Sequence, residues 1–581
     1  MLLGYLGWAC RWVTDDGFIY FRIVRQLEAG NGPVYNVGQR VEAFTSPLWL
    51  GILWLTDLVT PLRLEWLAVG LGILFSLLGV AFALVASTQL ARRAEARAFV
   101  VPAGLAVWVG FLPMWYFQSA GLETGLVFAW LGASLWVLTV WARAPERRMP
   151  AFGAVLIGLG WLVRPELAVH SALFVLLVTA GQWRQHGWGG RVRLLALAVA
   201  LPVAFQLFRM GYFGSLVANT AIAKEGSRPR WDHGWLYLKD FAKPYHLWLP
   251  IAALALGAFA PLLVTLRRAG ERRSQWVIGA FAFAAAFNAF YIVMIGGDYF
   301  HARLLMPALF AACAPVAVVP ATRRYLAAAV IVAWAVVAGI WLRPPEVFVA
   351  LFSTETPFVL PTNQAGSITL EQTGWSRGGR SWGWFQGDGL YFLANPFTVD
   401  FHRIAAQPAP GVRLPTLVLY GIGLPGFAAG PRFDVFDLLG LADAVGGHFE
   451  LRNRGFAGHE KSMPGPWVAA RLAAAGTYPA ASEFPSSGLS MIPLTTGRAF
   501  DEQVAWARAA WRCPAILELE QSTKAPLTAG RFFSNVRRSF AHTRLRIPPD
   551  PEEAYHRLCG PGVPAEVRAL RETATSAPAR P

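Results

Sequence analysis

Trp12-Val13-Thr14-Asp15-Asp16-Gly17-Phe18-Ile19-Tyr20-Phe21-Arg22 joins a short apolar N-terminus to a long hydrophobic chain. An ionised carboxylate loses its hydration in a low-dielectric setting, so two adjacent acids at a membrane edge are costly. Such a pair can bind a cation, take a proton or attack carbon. The structural alternative is a helix N-cap and first-turn acid ahead of the amphipathic stretch Phe18 to Leu27, which explains one acid better than two.

The surrounding chain reads as a polytopic membrane protein. Of its 581 residues, 55% are hydrophobic, only 15% are charged and 25 are tryptophan, which argues against a soluble globule with one core. A formal charge of +16 would suggest a nucleic-acid partner in a soluble protein. Here much of the excess is arginine in short loops between apolar runs, and topology accounts for it. Spans are expected near 64–90, 98–117, 124–142, 151–163, 167–183, 194–208, 248–266, 275–295, 304–320 and 325–342. The expected fold is an α-helical membrane domain over 1–343 with about 10–11 transmembrane helices. Pro47 to Val59 is too short to cross and reads as a re-entrant or interfacial helix. The stretch before Arg11 is also short, and reads as the end of a first span whose beginning is missing.

Basic residues fill alternate loops: Arg92, Arg93 and Arg97; Arg143, Arg147 and Arg148; Arg184, Arg191 and Arg193; Arg267, Arg268, Arg272 and Arg273; Arg323 and Arg324. By the positive-inside rule that face is cytoplasmic. The opposite face receives Asp15-Asp16, Glu123, Arg164-Pro165-Glu166, Asn219 with Lys224, and Gly296-Gly297-Asp298 through Arg303. The tail after about Pro344 exits on that face too.

From 344 the long apolar runs stop and Gly, Pro and aromatics rise. The expectation is a β-rich extracytoplasmic domain over 344–572, with strands such as Thr416–Tyr420 and some helix at Val468–Ala475 and Glu502–Trp511. The Ala/Ser/Pro-rich Thr573–Pro581 reads as a disordered tail. Cys10 and Cys313 lie in apolar segments; Cys513 and Cys559 lie in the tail, where a disulfide is one option if the tail is outside the cytoplasm. No Walker loop, Rossmann fingerprint or zinc-finger spacing marks a nucleotide or structural metal site.

Each polar candidate has a plain structural alternative. Glu123 at the mouth of a span also suits a helix-start carboxylate. Arg164 and Glu166 suit an ion pair pinning a hairpin as well as they suit a substrate. Asn219 and Lys224 lie in one loop, where lysine is either a phosphate point charge or an exposed surface residue. Asp298, His301 and Arg303 follow two glycines that permit close backbone approach. Arginine and histidine suit a phosphate, and Asp298 is placed to meet the aspartate pair through a cation, with Asp16 and Asp298 as the candidate metal ligands. The set suits a lipid-phosphate sugar, already activated by its leaving group and needing no nucleotide.

In order along the chain, these residues resemble the GT-C superfamily of polyprenyl-phosphate-dependent glycosyltransferases. Thr14-Asp15-Asp16-Gly17-Phe18-Ile19, Gly32-Pro33-Val34-Tyr35-Asn36, Gly38-Gln39-Arg40-Val41-Glu42-Ala43 and Thr45-Ser46-Pro47-Leu48-Trp49 resemble the actinobacterial terminal β-(1→2)-arabinofuranosyltransferases. So do Gly121-Leu122-Glu123-Thr124, Arg164-Pro165-Glu166, Gly297-Asp298, Gly440-Leu441-Ala442-Asp443 and Gly458-His459-Glu460-Lys461. The resemblance implies decaprenyl-phosphoryl-arabinofuranose as donor and the arabinan ends of arabinogalactan or lipoarabinomannan as acceptor. It also implies a multi-pass plasma-membrane enzyme with an extracytoplasmic site and a carbohydrate-binding-like tail. A β-linked donor and β product imply retention, with Asp15 as nucleophile or base and Asp16 supporting it or binding a divalent cation. Rival readings are a polyprenyl-phosphate-mannose-dependent mannosyltransferase, a lipid-linked sugar transporter, and a cell-wall anchor carried by a passive membrane domain. A transporter would place polar residues mid-membrane on broken or repeated helices, whereas these cluster at one edge.

Overall fold

A backbone removed from water must hydrogen-bond to itself, so the apolar runs fold as helices. The computed structural model describes residues 1–94, 99–144, 146, 148–182, 187–226, 228–320, 325–342, 416–431, 433–451, 460–474 and 500–576. Arg97, Arg147, Arg184, Arg323, Arg324, Gly458 and His459 lie outside the described residues, as do 343–415 and 577–581.

The first half contains α1 (Leu2–Ala9), α2 (Asp15–Glu28), α3 (Pro47–Asp57), α4 (Leu64–Ala94), β1 (Val100–Val101), α5 (Ala103–Gly110), α6 (Pro113–Phe117) and α7 (Thr124–Arg143). It continues with α8 (Ala151–Gly158), α9 (Gly160–Val163), α10 (Ala168–Gly181), α11 (Trp188–Tyr212), α12 (Asn219–Ala223), α13 (Trp231–Ala242) and α14 (Trp248–Leu254). Then follow α15 (Ala260–Arg268), α16 (Arg272–Ile295), α17 (Met306–Cys313), β2 (Val319–Pro320) and α18 (Tyr325–Ile340). A π-helical turn, Ala255–Phe259, makes α14 and α15 one continuous rod.

Among the described residues, five helices are long and apolar enough to cross a bilayer: Leu64–Ala94, Thr124–Arg143, Trp188–Tyr212, Trp248–Arg268 and Arg272–Ile295. The chain is therefore a mostly helical membrane protein. Three further apolar helices, Pro165–Gly181, Arg303–Val316 and Ala327–Ile340, are shorter. Two expected spans are broken. The run 98–117 stops at Gly110 and restarts at Pro113, whose missing amide proton suits a first-turn position. The run 151–163 divides at Leu159.

Contacts divide the chain into two units. The first comprises Met1–Val24, Thr45–Phe205 and Ser227–Thr398; the second comprises Arg25–Phe44, Gln206–Gly226 and Val399–Pro581. In the first, α4 and α7 run parallel with almost no gap. A Cβ on Gly125 would lie 2.1 Å from the Gly72 carbonyl oxygen, and one on Gly132 would lie 2.2 Å from that of Gly79. Without a hydrophobic drive between helices in lipid, such small-residue contacts supply the association. Basic ends gather: Arg93 pairs with Glu271, and Arg273 donates to the Gly181 carbonyl at 2.7 Å.

The second unit adds β3 (Thr416–Leu419), α19 (Leu424–Ala429), β4 (Asp434–Asp437), α20 (Gly465–Ala474), α21 (Phe500–Trp511), α22 (Pro514–Lys524), α23 (Ala529–Arg544), α24 (Pro551–Leu558) and α25 (Ala565–Ser576). β3 and β4 pair in parallel, Thr416 against Asp434 through Leu419 against Asp437. Among the described residues of the tail this is the only sheet, so they are helical rather than β-rich. The reason is visible in α23 and α24, where apolar and charged residues alternate with helical period. The last helix runs to Ser576, into the stretch expected to lack structure. The core includes Phe436, Leu438, Phe449, Trp467, Val468 and Ile516.

Two early segments are woven into this unit. Asn36 mimics a strand neighbour: its amide donates to the Val435 carbonyl at 2.8 Å and accepts from the Val435 N–H at 3.0 Å. The Tyr35 hydroxyl donates to the Ile422 carbonyl. Arg209 grips Glu42 through two bonds of 2.6 and 2.9 Å. Burial pushes the Glu42 carboxyl up and Arg209 opposes it.

Candidate active site

α2 starts at the acid pair, so both carboxylates lie on its first turn, where the partial positive charge of the helix end favours them. A neighbouring loop is pinned beside that turn. The Thr14 N–H donates to the Ala120 carbonyl at 3.0 Å, Trp12 Nε1 to that of Tyr116 at 2.9 Å, and Trp49 Nε1 to that of Gly121 at 3.2 Å. Gly121 has φ +78° and Val13 packs against it, so a side chain there would meet both strain and a clash.

The loop after α16 supplies the counter-charge. Gly296 and Gly297, with φ of +97° and +70°, end that helix, and a Cβ on Gly297 would run into the Tyr237 ring. Tyr237 ties the loop down by donating to the Phe300 carbonyl at 3.0 Å and accepting from the Leu304 N–H at 3.1 Å. Ala302 sits at φ +65°, a strained value for a non-glycine residue. The next residue, Arg303, places Nη1 3.0 Å from Asp16 Oδ2 and 3.5 Å from Asp298 Oδ2. The guanidinium thus lies between the two carboxylates. Among the described residues, no three His, Cys, Asp or Glu side chains are grouped to hold a metal ion.

A second charged cluster lies within electrostatic reach of Arg303. Glu123 is fully buried and pairs with Arg164, which also binds Glu166. Tyr20 donates to Glu123 at 3.4 Å and accepts from the Ser46 N–H at 3.1 Å, linking α2, the mouth of α7 and the start of α3. Phe117 and Phe300 pack edge-on against Trp12 near these charges.

His301 is engaged on both ring nitrogens: Nδ1 lies 2.6 Å from Asp240 Oδ2, and Nε2 lies 3.0 Å from the Tyr245 hydroxyl. The carboxylate requires a proton on Nδ1. Asp240, Tyr237 and Tyr245 escape a motif reading. The available signal was the helical spacing of His233, Tyr237 and Asp240 on α13.

Asn219 and Lys224 belong to the second unit. Asn219 Nδ2 lies 2.7, 3.1 and 3.0 Å from the carbonyls of Gly440, Leu441 and Asp443. Lys224 follows α12 as its C-cap. Lys461 pairs with buried Glu225 at 2.7 Å, and Arg471 pairs with Asp443. Cys513 and Cys559 form a disulfide, while Cys10 and Cys313 are free and buried.

Comparison with known proteins follows the same pattern. Residues 400–557 match the AftB family C-terminal domain. A terminal β-(1→2)-arabinofuranosyltransferase of Mycobacterium tuberculosis is 32% identical, across 97% of this chain and 96% of that protein. A protein of the same name from Corynebacterium glutamicum is 30% identical, across 98% of this chain and 88% of its own length. No solved structure matches. At this identity over nearly its whole length, the chain belongs to the terminal β-(1→2)-arabinofuranosyltransferase family of glycosyltransferases.

Proposed function

We propose that this chain transfers arabinofuranose from decaprenyl-phosphoryl-arabinose to the ends of cell-wall arabinan, in arabinogalactan or lipoarabinomannan, through a β-(1→2) linkage. The observation that carries the reading is the Asp16–Arg303–Asp298 cluster beside Glu123–Arg164–Glu166 in the membrane unit. Asp16 is held by Arg303, and Asp15, on the same first turn of α2, is the acid assigned to the reacting carbon. As nucleophile, Asp15 forms a bond to C1 as the C1–O bond to phosphate breaks. The acceptor hydroxyl then displaces the carboxylate, and its proton passes to the departed phosphate. Two inversions give retention. Arg303 and Arg164 supply positive charge where the phosphate accumulates negative charge. Asp16 and Asp298, which share Arg303, are also the residues that would hold a divalent cation.

The fold reading that accompanies this is GT-C-like, with the shorter apolar helices completing about 10–11 membrane passes. Arginine at alternate loops supports a reading with the acid pair and the tail outside the cytoplasm. The Cys513–Cys559 disulfide supports the same side, since such bonds persist in oxidising compartments. The tail is read as the carbohydrate-binding part.

The test is transfer by the purified chain in proteoliposomes, with synthetic decaprenyl-phosphoryl-arabinofuranose, an arabinan acceptor and linkage analysis of the product. The expected product carries one added β-(1→2) arabinofuranose and is absent with Asp15→Asn. Mannose transfer without arabinose transfer, or a parental rate from Asp15→Asn, would overturn the reading.

A further inference from the structure

Helix α23 has an inner and an outer face of different chemistry. Asn535, Ser539 and His542 are buried, while Phe533, Arg537, Phe540 and Arg544 point outward at steps of four, three and four residues. Phe533 and Phe540 are 70% and 57% exposed, unusual for phenylalanine on a soluble surface. The Arg544 guanidinium lies 5.0 Å from the Phe540 ring centroid. Arg531 and Arg538 both pair with Glu518, and α23 itself contains no acid.

The inner face is fastened to the end of a membrane-crossing helix. Asn535 Nδ2 donates to the Gly211 carbonyl at 2.9 Å, and Gly211 has no room for a Cβ because the Phe532 ring would be 2.1 Å away. Gly211 is in the last turn of α11. On α11 the apolar residues Leu195, Val199, Val203 and Leu207 recur every four residues and are 40–50% exposed, forming a strip suited to lipid tails. That strip ends one turn before the Asn535 contact. Within its own unit, α23 is thus fastened to the last turn of α11.

We propose that the outer face of α23 is a lipid-docking surface on the leaflet reached by the C-terminal end of α11. Phe533 and Phe540 enter the headgroup–acyl boundary, and Arg537 and Arg544 bind the phosphates of anionic phospholipids. Aromatic anchors with arginine on one helix facing a membrane match the chemistry of an interfacial helix. The surface is distinct from the charged cluster in the first unit and does not depend on the sugar chemistry assigned there.

The test uses the full chain in nanodiscs of phosphatidylcholine with phosphatidylglycerol. A nitroxide is attached at Phe533→Cys or Phe540→Cys. The natural thiols do not compete, since two are buried and two are oxidised. The collision ratio of oxygen to a water-soluble nickel chelate is compared with that at Arg568→Cys, an exposed position on α25. The expected ratio at 533 and 540 is several-fold higher than at 568. It should fall when Arg537→Glu and Arg544→Glu are added. A ratio at 533 and 540 equal to that at 568 would overturn the proposal. So would dipolar broadening between labels on two molecules, which would seat a second copy on this face.

Discussion

Arg303 reaches Asp16 across 287 residues of chain, with Nη1 3.0 Å from Oδ2, and holds Asp298 from the same nitrogen. Arg303 is 9% exposed, so losing it strands two acids in a poorly hydrated place. Arg303→Gln is expected to lower the transfer rate by roughly 100-fold or more, as loss of a preorganised charge does. Asp16→Asn should have a similar effect, and the double variant should cost less than the sum of the two. Initial rates in proteoliposomes check both.

Glu123 and Arg164 make a harsher test of stability. With Glu123 fully buried, Arg164→Ala leaves an uncompensated charge and should cost about 3–5 kcal/mol. Replacing both, as Glu123→Gln with Arg164→Gln, should recover part of the lost thermal midpoint. Unfolding in detergent, followed by tryptophan fluorescence, is the measurement.

The second unit should respond to pH through Asp437. Burial pushes this carboxyl up to about 7, although it accepts from the Leu439 and Ala442 N–H groups. An unfolded aspartate titrates near about 3.9. The folded state therefore holds the proton more tightly. The contribution of this group is complete below about pH 4 and is lost as pH rises through about 7. His448, pushed down to about 4 by burial, acts in the opposite sense between about 4 and 6.5. The comparison is thus between the parent and Asp437→Asn. The parent should lose stability relative to the variant as pH rises from 4 to 8, and thermal midpoints at several pH values check this.

Closing a loop between Cys513 and Cys559, 46 residues apart, limits the unfolded chain. By the chain-entropy relation, Cys513→Ser with Cys559→Ser should lower stability by about 4 kcal/mol. Limited proteolysis should then cut the second unit before the membrane helices.

What depends on local pattern is legible in the sequence. The apolar runs at 64–90, 124–142 and 275–295 became α4, α7 and α16, because twenty or so apolar residues have few other solutions. Gly296-Gly297 stood out as a place for close backbone approach, and both adopt positive φ, angles that only glycine reaches cheaply. The runs around Gly110 and Leu159 were harder, since composition does not show where a helix breaks. Within the site, the local Arg164–Glu166 pair was visible, but the long-range pairing of Arg303 with Asp16 and of Arg164 with Glu123 was not. That Asp298 meets Asp16 through Arg303 depends on backbone paths far apart in sequence. Asp240 was hidden because nothing in an amphipathic helix distinguishes the acid that faces a histidine. Tail helices α23 and α24 were missed because their short apolar stripes are interrupted by arginine, leaving Gly and Pro to dominate the reading.

The strand-like partnership of Asn36 with Val435, and of Tyr35 with Ile422, spans 399 and 387 residues. At ribosomal speeds of 5–20 residues per second, these early groups wait roughly 20–80 s for the chain that satisfies them. During that interval the segment that begins on the helix of the acid pair has no finished home. Membrane insertion of the first helices thus precedes closure of the second unit, and nascent chains stalled before Ile422 should be the natural substrates of a chaperone or a quality-control protease.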